Sequence, residues 1–446
     1  MPNLVMVMPY QAYIRKAQAE GFRIYAIWDP AEAERLFGAQ AATYLRDVEA
    51  LADGFRLVDF TDHAAYADAI RAAVRETDAD HVWHVGSEES MMLAYDVADE
   101  LGKAVNSPQS VALLNDKLAM RTLLRDKGIF AVRFAIAEHW SDVAGLLADF
   151  ALPVVVKPTT LSASRGIYLL TDPADLPAWG EMLAAYEYDG PVLIEEYLRG
   201  PEFSVETLTV RGEHHVIGVT RKLLGPLPHF VERGHLFGAP ASVETSGVAA
   251  LAVELLDAVG YQCGPAHTEI ILTADGPRIV ESQARLGGDK IPDIIQIARG
   301  FDIKLAMFGA LAGRGPRPGP AKSIGHIAYL SFPSGVLRSV SGIDEARGLD
   351  FVHTLNFPFS VGDVLPETVS SKTRHGFVIL TGSEDAAQAQ ARADRVRELI
   401  KVEVTASPQV GGRGKPAKGV VGARLPEIRS NRPHGAPPDE DRDVTY

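Results

Sequence analysis

The chain has 446 residues, 46% hydrophobic and 23% charged, a length and composition that predict three folded domains of roughly 100 to 200 residues each. Its formal net charge of −14 argues against nucleic acid or an anionic membrane surface as a main partner. Because the single cysteine, Cys263, cannot form an internal disulfide and the N-terminal residues resemble neither an export signal nor a membrane span, we expect a soluble, cytoplasmic protein.

The first hundred residues alternate apolar runs with helical periodicity. Strand-like runs lie at 3–8, 23–29 and 81–86, and helical periodicity lies at 63–77 and 90–102. This alternation predicts an α/β domain with a parallel sheet at residues 1–108. No G-x-G-x-x-G follows the first strand, so we expect substrate binding or scaffolding rather than dinucleotide binding. Glu88 or Glu89, just after the third run, can contact a substrate amine, although a carboxylate there is more often a helix cap.

Strand-like segments continue after the helix start near residue 108. They lie at 131–136, 153–157, 192–196, 203–210 and 214–221, followed by a hairpin within 266–289. A small mixed β/α domain is predicted at 316–405. The last segment, 406–446, is rich in Gly, Pro and charge without apolar periodicity, which predicts a disordered tail.

The hairpin raises a question, because it aims two carboxylates at each other. With a three-residue loop at 274–276, Glu269 and Glu281 lie directly opposite, with β-carbons about 5 Å apart, where like charges repel. A register shifted by one residue would leave both merely solvated. If they face each other beside Arg285, the chemistry suits a divalent metal and a phosphate, since hard oxygens bind Mg²⁺ and arginine binds phosphate as a planar fork.

Two further segments carry polar groups at the ends of strands. Lys157 ends an apolar strand and precedes a hydroxyl-rich loop that ends at Gly166, which together suggest a phosphate site, although no P-loop pattern is present. The segment 192–210 places Glu195 before a short hinge and Glu202 after it, an arrangement suited to an adenine edge and a ribose. Judged alone, each feature is more often a snorkelling lysine, an ordinary loop or a pair of solvated acids.

In chain order, these segments resemble the ATP-grasp superfamily over roughly residues 1–405. The resemblance implies a central ATP-grasp domain at 109–315, made of two α+β subdomains that clamp ATP. Within the superfamily, the segments 222–242, 267–272 and 281–295 look most like the carboxylate–amine ligases that join two free L-amino acids.

The resemblance implies roles at matching positions. The ATP-binding positions would be Lys117, Lys157, Ser162, Ser164, Gly166, Glu195, Tyr197, Leu198 and Glu202. Glu269 and Glu281 would bind Mg²⁺, expected as two ions that Mn²⁺ can replace. The amino-acid pocket would be lined by Glu88, Glu232, His235, Arg285, Gly287 and Gly288, of which Arg285, His235 and Glu232 would be catalytic. Many ATP-grasp enzymes have Asn two residues after the second metal glutamate; here it is Gln283, whose role as a ligand is left open.

The implied reaction transfers the γ-phosphoryl group of ATP to a carboxylate, and an amine then attacks the acyl phosphate. Arg285 would stabilise the oxyanion, and His235 is either a base or a structural histidine. ATP and amino acids are the expected partners, and a homodimer is one possible assembly. The main hypothesis is an amide bond between two amino acids, or between an amino acid and a related amine, and the resemblance suggests a role in making a peptide metabolite or antibiotic. A carboxylase that uses bicarbonate and a non-catalytic nucleotide-binding protein are the alternative functions.

Overall fold

The computed structural model describes residues 1–86, 90–161, 164–239 and 243–405. The predictions for Glu88, Ser162 and the tail at 406–446 lie outside these residues. The strands are β1 Asn3–Val7, β2 Arg23–Trp28, β3 Gly54–Leu57, β4 His81–His84, β5 Phe134–Ala137, β6 Val154–Pro158, β7 Tyr168–Leu170, β8 Val192–Glu196, β9 Glu202–Val210, β10 Glu213–Leu224, β11 Glu232–Phe237, β12 Cys263–Thr273, β13 Gly276–Gln283, β14 Ile324–Tyr329, β15 Gly335–Ser341, β16 Val352–Asn356, β17 Val364–Leu365, β18 Phe377–Ser383 and β19 Lys401–Thr405. The helices are α1 Gln11–Ala19, α2 Pro30–Phe37, α3 Ala41–Leu51, α4 His63–Thr77, α5 Met91–Glu100, α6 Pro108–Asn115, α7 Lys117–Lys127, α8 Val143–Leu146, α9 Leu176–Ala185, α10 Val243–Val259, α11 Ile291–Arg299, α12 Ile303–Leu311, α13 Ile343–Arg347 and α14 Ala386–Leu399.

The N-terminal sheet is parallel, as predicted, with strand order β3-β2-β1-β4. Strand β1 is almost wholly buried because both of its faces are apolar, which is the usual pattern for a parallel strand. Helix α4 begins where the Asp62 side chain accepts a hydrogen bond from the Ala65 amide. The short strand β3 and the helices α1 to α3 were not among the predicted elements.

A small antiparallel sheet, of order β5-β8-β6-β7, follows in the chain. Its core includes the fully buried Trp179, whose indole N–H donates to the Gly166 carbonyl at 2.8 Å. This contact fixes the end of the hydroxyl-rich loop against α9.

The largest sheet is antiparallel and has eight strands in the order β13-β12-β9-β10-β11-β14-β18-β16. It runs without a break from the 266–289 hairpin into the region predicted as the small C-terminal domain. All nine residues of β9 are buried, so the acids on this strand have little water around them and need partners within the protein. The mixed α/β and α+β fold class is confirmed.

The hairpin places Glu269 opposite Glu281, which confirms the predicted register at that pair. The predicted three-residue loop is wrong, because Thr273 pairs with Gly276 and the turn has two residues. The extra residue is Val280, which bulges between the pairs Ile270–Ile279 and Glu269–Glu281 and moves the register by one. The bulge therefore produces the facing carboxylates.

No helix within the described ranges has the length and apolar character needed to cross a membrane.

Candidate active site

One face of the eight-stranded sheet carries the acids of the candidate site. Strand pairing sets His267 beside Glu206 and Gln283, and sets Glu269 beside Ser204 and Glu281. Paired residues project from the same face of a sheet, so these side chains form one polar surface. Lys222 of β10 and His235 of β11, which pair with each other, extend that surface.

Lys222 lies at the centre of this surface and was missed by the sequence analysis. Its Nζ is 2.6 Å from Glu202 Oε1, 2.6 Å from Glu269 Oε1 and 3.5 Å from Glu232 Oε1, and its side chain is only 4% exposed. Burial alone would lower the pKa of Lys222, but the three carboxylates raise it well above its usual value. Its place at the start of segment 222–242, already noted for its resemblance to the ligases, was the available signal.

Glu202 and Glu269 respond differently to this shared lysine. Burial and the charges of Glu269 and Glu232 raise the pKa of Glu202 to about 6, despite the opposing effect of Lys222. Burial would also raise the pKa of Glu269, but Lys222 and His267 hold it well below its usual range. Glu269 is therefore a permanent anion at neutral pH.

His267 connects two of the acids. Burial alone would lower the pKa of His267, but Glu206 and Glu269 raise it to about 10, so the ring is a cation. Its Nδ1–H donates to Glu206 Oε1 at 2.8 Å and its Nε2–H donates to Glu269 Oε1 at 3.3 Å. Ser204 Oγ donates to the same Glu206 oxygen at 2.8 Å. His267 therefore holds Glu269 through a contact within strand β12.

Glu281 faces Glu269 and has its own partners. Gln283 Nε2 donates to Glu281 Oε1 at 2.7 Å, and Lys117 Nζ lies 3.8 Å from Glu281 Oε2. Gln283 Oε1 is buried and has no hydrogen-bond partner among the described residues. Nearby cations thus offset the repulsion expected between the facing carboxylates.

The oxygens on this surface fit a divalent cation. Glu269 and Glu281 offer facing carboxylates, and the unpaired Gln283 Oε1 is a neutral oxygen donor beside them. Among the described residues, no group of three His, Cys, Asp or Glu side chains is arranged to hold a metal alone. An ion here would need further oxygens from water and phosphate, which is how Mg²⁺ usually binds in enzymes.

Two cations contact one carboxylate where α7 meets the small sheet. Glu195 of β8 accepts from Lys157 Nζ at 2.7 Å and from Arg121 Nε at 2.5 Å, and all three side chains are buried. Burial would raise the pKa of Glu195, but Arg121 and Lys157 lower it to about 2. Burial, together with Arg121 and the nearby Lys117, lowers the pKa of Lys157 despite Glu195. The cluster has more positive than negative charge and so favours an anion such as phosphate.

Arg121 also connects this cluster to the hairpin. Its Nη1 donates to the Ile279 carbonyl at 2.5 Å and its Nη2 donates to the Val280 carbonyl at 3.0 Å, at the bulge that precedes Glu281. The sequence analysis missed Arg121, although it lies four residues after Lys117 and so on the same helix face.

The predicted adenine and loop positions are near this cluster. Tyr197 and Leu198 are half-buried just after β8, and the Tyr197 ring lies 6.3 Å from that of Phe230. Glu195 itself is occupied by its two ion pairs. Gly166 has a φ of +73°, and an added Cβ would lie 2.7 Å from Pro158 Cγ, so packing alone requires glycine there. Ser164 also has a positive φ, of 56°.

The glycines after the hairpin lie close to the acidic surface. A Cβ on Gly287 would come within 2.8 Å of Glu206 Oε2 and 2.9 Å of His267 Nδ1, so only glycine fits over that pair. The Gly288 carbonyl accepts from the Ile291 amide at the start of α11. Arg285, half-buried, donates from Nη1 to the Leu286 carbonyl at 3.0 Å.

His235 lies in a buried network that the sequence analysis did not foresee. Its Nε2 is 3.2 Å from Asp289 Oδ2, and its buried Nδ1 has no partner among the described residues. Arg374 donates to both Asp289 oxygens, at 3.0 and 2.6 Å, and lies 3.6 Å above the Tyr329 ring. Burial would raise the pKa of Asp289, but Arg374 and His235 hold it far below its usual range.

The segment around Arg374 makes a second contact with the surface. Ser371 Oγ donates to Glu232 Oε2 at 2.7 Å, while Glu232 Oε1 faces Lys222. Both Ser371 and Arg374 come from the loop between β17 and β18, so the region after residue 316 borders the site.

The chain is similar to known proteins in sequence and in fold. Residues 150–293 match the ATP-grasp domain family, and residues 328–405 match the family described as L-amino acid ligase C-terminal domain 2. The protein y4rH of Sinorhizobium fredii is 28% identical over 68% of this chain and 63% of its own length. Dapdiamide A synthase of Enterobacter agglomerans is 25% identical over 69% of this chain and 77% of its own. The crystal structure of an L-amino acid ligase from Bacillus licheniformis has the same fold, with a TM-score of 0.70 at 20% identity over 91% of this chain and 99% of that one.

Proposed function

We propose an ATP-dependent carboxylate–amine ligase activity for this chain, which belongs to the ATP-grasp superfamily and carries the second C-terminal domain of the L-amino acid ligases. The substrates are two amino acids, or an amino acid and a related amine, and the products are an amide, ADP and phosphate. The relationship to dapdiamide A synthase supports a biosynthetic role.

The observation that carries this proposal is that a pair of facing carboxylates lies close to a cluster of buried cations. Lys117 lies 3.8 Å from Glu281 of the facing carboxylate pair, and Lys157 belongs to the cationic cluster. A polyphosphate needs cations along its length and oxygen ligands for its metal, and this arrangement offers both. In this proposal, Glu195 orients Lys157 rather than contacting adenine, and Tyr197 and Leu198 border the base.

Glu269, Glu281 and Gln283 would hold the divalent cation, which when bound neutralises charge on the transferring phosphoryl group. Lys117 and Lys157 bind phosphate oxygens, and Glu202 accepts from the ribose. A substrate carboxylate oxygen bonds to the γ-phosphorus while the bond from that phosphorus to the ADP oxygen breaks. The result is an acyl phosphate and ADP.

His235 and Arg285 act in the second step. The amine nitrogen bonds to the acyl carbon, Arg285 stabilises the oxyanion, and phosphate leaves with the carbon–oxygen bonding electrons. With Nε2–H donating to Asp289, His235 keeps a lone pair on Nδ1, and we assign the amine proton to that atom. Glu232, Gly287 and Gly288 border the amino acids.

A matrix of amino-acid pairs, scored for phosphate release and for amide product by mass spectrometry, tests the proposal. We expect release that requires ATP, a divalent cation and two amino acids. Release that requires bicarbonate instead would indicate a carboxylase, and an absence of release with every pair would contradict a ligase.

A further inference from the structure

Lys222 occupies a position that conflicts with the roles proposed for its neighbours. It binds Glu269, a proposed metal ligand, and Glu202, the proposed ribose acceptor, at the same distance of 2.6 Å. Both carboxylates use their Oε1 atoms for Lys222. A residue that only stabilised the fold would not be expected on the two acids that the substrate complex needs.

The surroundings of Lys222 resemble those of a bound metal ion. Carboxylates from three different strands, Glu202 of β9, Glu232 of β11 and Glu269 of β12, converge on one buried positive charge. One ammonium and three carboxylates leave a net negative charge on this group, which attracts a further cation. An ammonium on a flexible four-carbon chain can also move away from one partner and keep another.

We infer that Lys222 is an internal counter-ion that takes the place of the divalent cation at Glu269 in the metal-free protein and competes with that cation for the carboxylate. When the metal binds, the ammonium leaves Glu269 and stays with Glu232. Glu269 remains in position because His267 holds it independently, at 3.3 Å. Ser371 similarly holds Glu232 for the displaced lysine, at 2.7 Å. The inference rests on the metal role proposed for Glu269, and it does not depend on which amino acids are joined.

The test measures Mn²⁺ binding without nucleotide or amino acids, by the loss of the free Mn²⁺ signal in electron paramagnetic resonance. Lys222→Met removes the competing charge, and we expect it to bind Mn²⁺ at least about tenfold more tightly than the parent. Adding Glu269→Gln to this variant should abolish the gain. Lys304→Met is the matched control, because Lys304 is equally buried but pairs with Asp293 on helix α11, outside the carboxylate surface. Unchanged or weaker Mn²⁺ binding by Lys222→Met would overturn the inference.

Lys222→Met can be unstable, because it removes the cation that three buried carboxylates share. Thermal melting with Mn²⁺ alone tests the inference in that situation. We expect Mn²⁺ to raise the melting temperature of this variant, or its recovery on refolding, more than it does for the parent and for Lys304→Met. A variant that Mn²⁺ does not rescue contradicts the claim that a metal can take the place of the ammonium. Because the measurement uses no substrate, its outcome is separate from that of the ligase assay. If the protein forms no amide but Lys222 and Mn²⁺ compete for Glu269, only the ligase reaction is refuted.

Discussion

Glu195→Gln probes the cationic cluster, because it removes the one carboxylate that Arg121 and Lys157 share. Both cations would stay buried, with side chains 1% and 4% exposed, and would lose their ion pairs. The pKa of Glu195 falls from 4.5 to about 2 in the folded protein, which corresponds to about 3 kcal/mol of stability at neutral pH. We therefore expect the free energy of unfolding to fall by about 3 kcal/mol.

The pH dependence gives this prediction a specific signature. A lowered folded-state pKa contributes stability that is complete above the unfolded pKa of 4.5 and is lost as the pH falls towards 2. The difference in stability between the parent and Glu195→Gln should therefore shrink by about 1 kcal/mol between pH 7 and pH 3.5. Urea denaturation at several pH values measures it, with Glu181→Gln as an exposed control on α9.

Two results would refute this reasoning. One is a loss at pH 7 no greater than that of Glu181→Gln, and the other is a difference that does not change with pH. A further expectation concerns ATP: if phosphate binds this cluster, Mg·ATP should stabilise Glu195→Gln more than the parent, because the phosphates replace part of the lost negative charge.

Three other substitutions test separate parts of the site. Lys157→Met should need an Mg·ATP concentration at least about tenfold higher than the parent for the same rise in melting temperature. Its preference among amino acids, measured with the matrix of pairs, should stay unchanged. Gly287→Ala should reduce kcat/KM by at least about tenfold, because its Cβ would come within 2.8 Å of Glu206; activity near the parent's would contradict this packing. Arg374→Lys should lower the free energy of unfolding by about 2 kcal/mol in urea, because lysine cannot form the two-oxygen contact with Asp289; an unchanged midpoint would contradict it.

The sequence predicted the elements that have a distinct apolar run or a distinct helical repeat of apolar residues. Strands β1, β2 and β4 were recognised as short continuous apolar runs, and helices α4 and α5 were recognised because their apolar residues repeat at helical spacing. The facing of Glu269 and Glu281 was predicted correctly for the wrong reason. A β-bulge leaves no periodic pattern in the sequence. A bulge at Val280 therefore could not be distinguished from a turn that is one residue longer.

The partners of the site residues were beyond sequence reasoning. The register of strand β10 brings Lys222 to the site. A loop far along the chain brings Ser371 and Arg374 there. Neither arrangement can be predicted from the local sequence pattern. Arg121 is the exception, because its spacing from Lys117 was visible. The domain boundaries and the roles of the individual residues stay predictions.

The most direct test of the central claim follows one oxygen atom. An amino acid labelled with ¹⁸O in its carboxylate is incubated with ATP, a divalent cation, a second amino acid and the protein, and the phosphate is analysed by mass spectrometry. If an acyl phosphate forms, each phosphate released with an amide product carries one ¹⁸O atom, and Glu281→Gln, which removes a proposed metal-binding charge, should release little phosphate. Amide product accompanied by unlabelled phosphate would contradict the account.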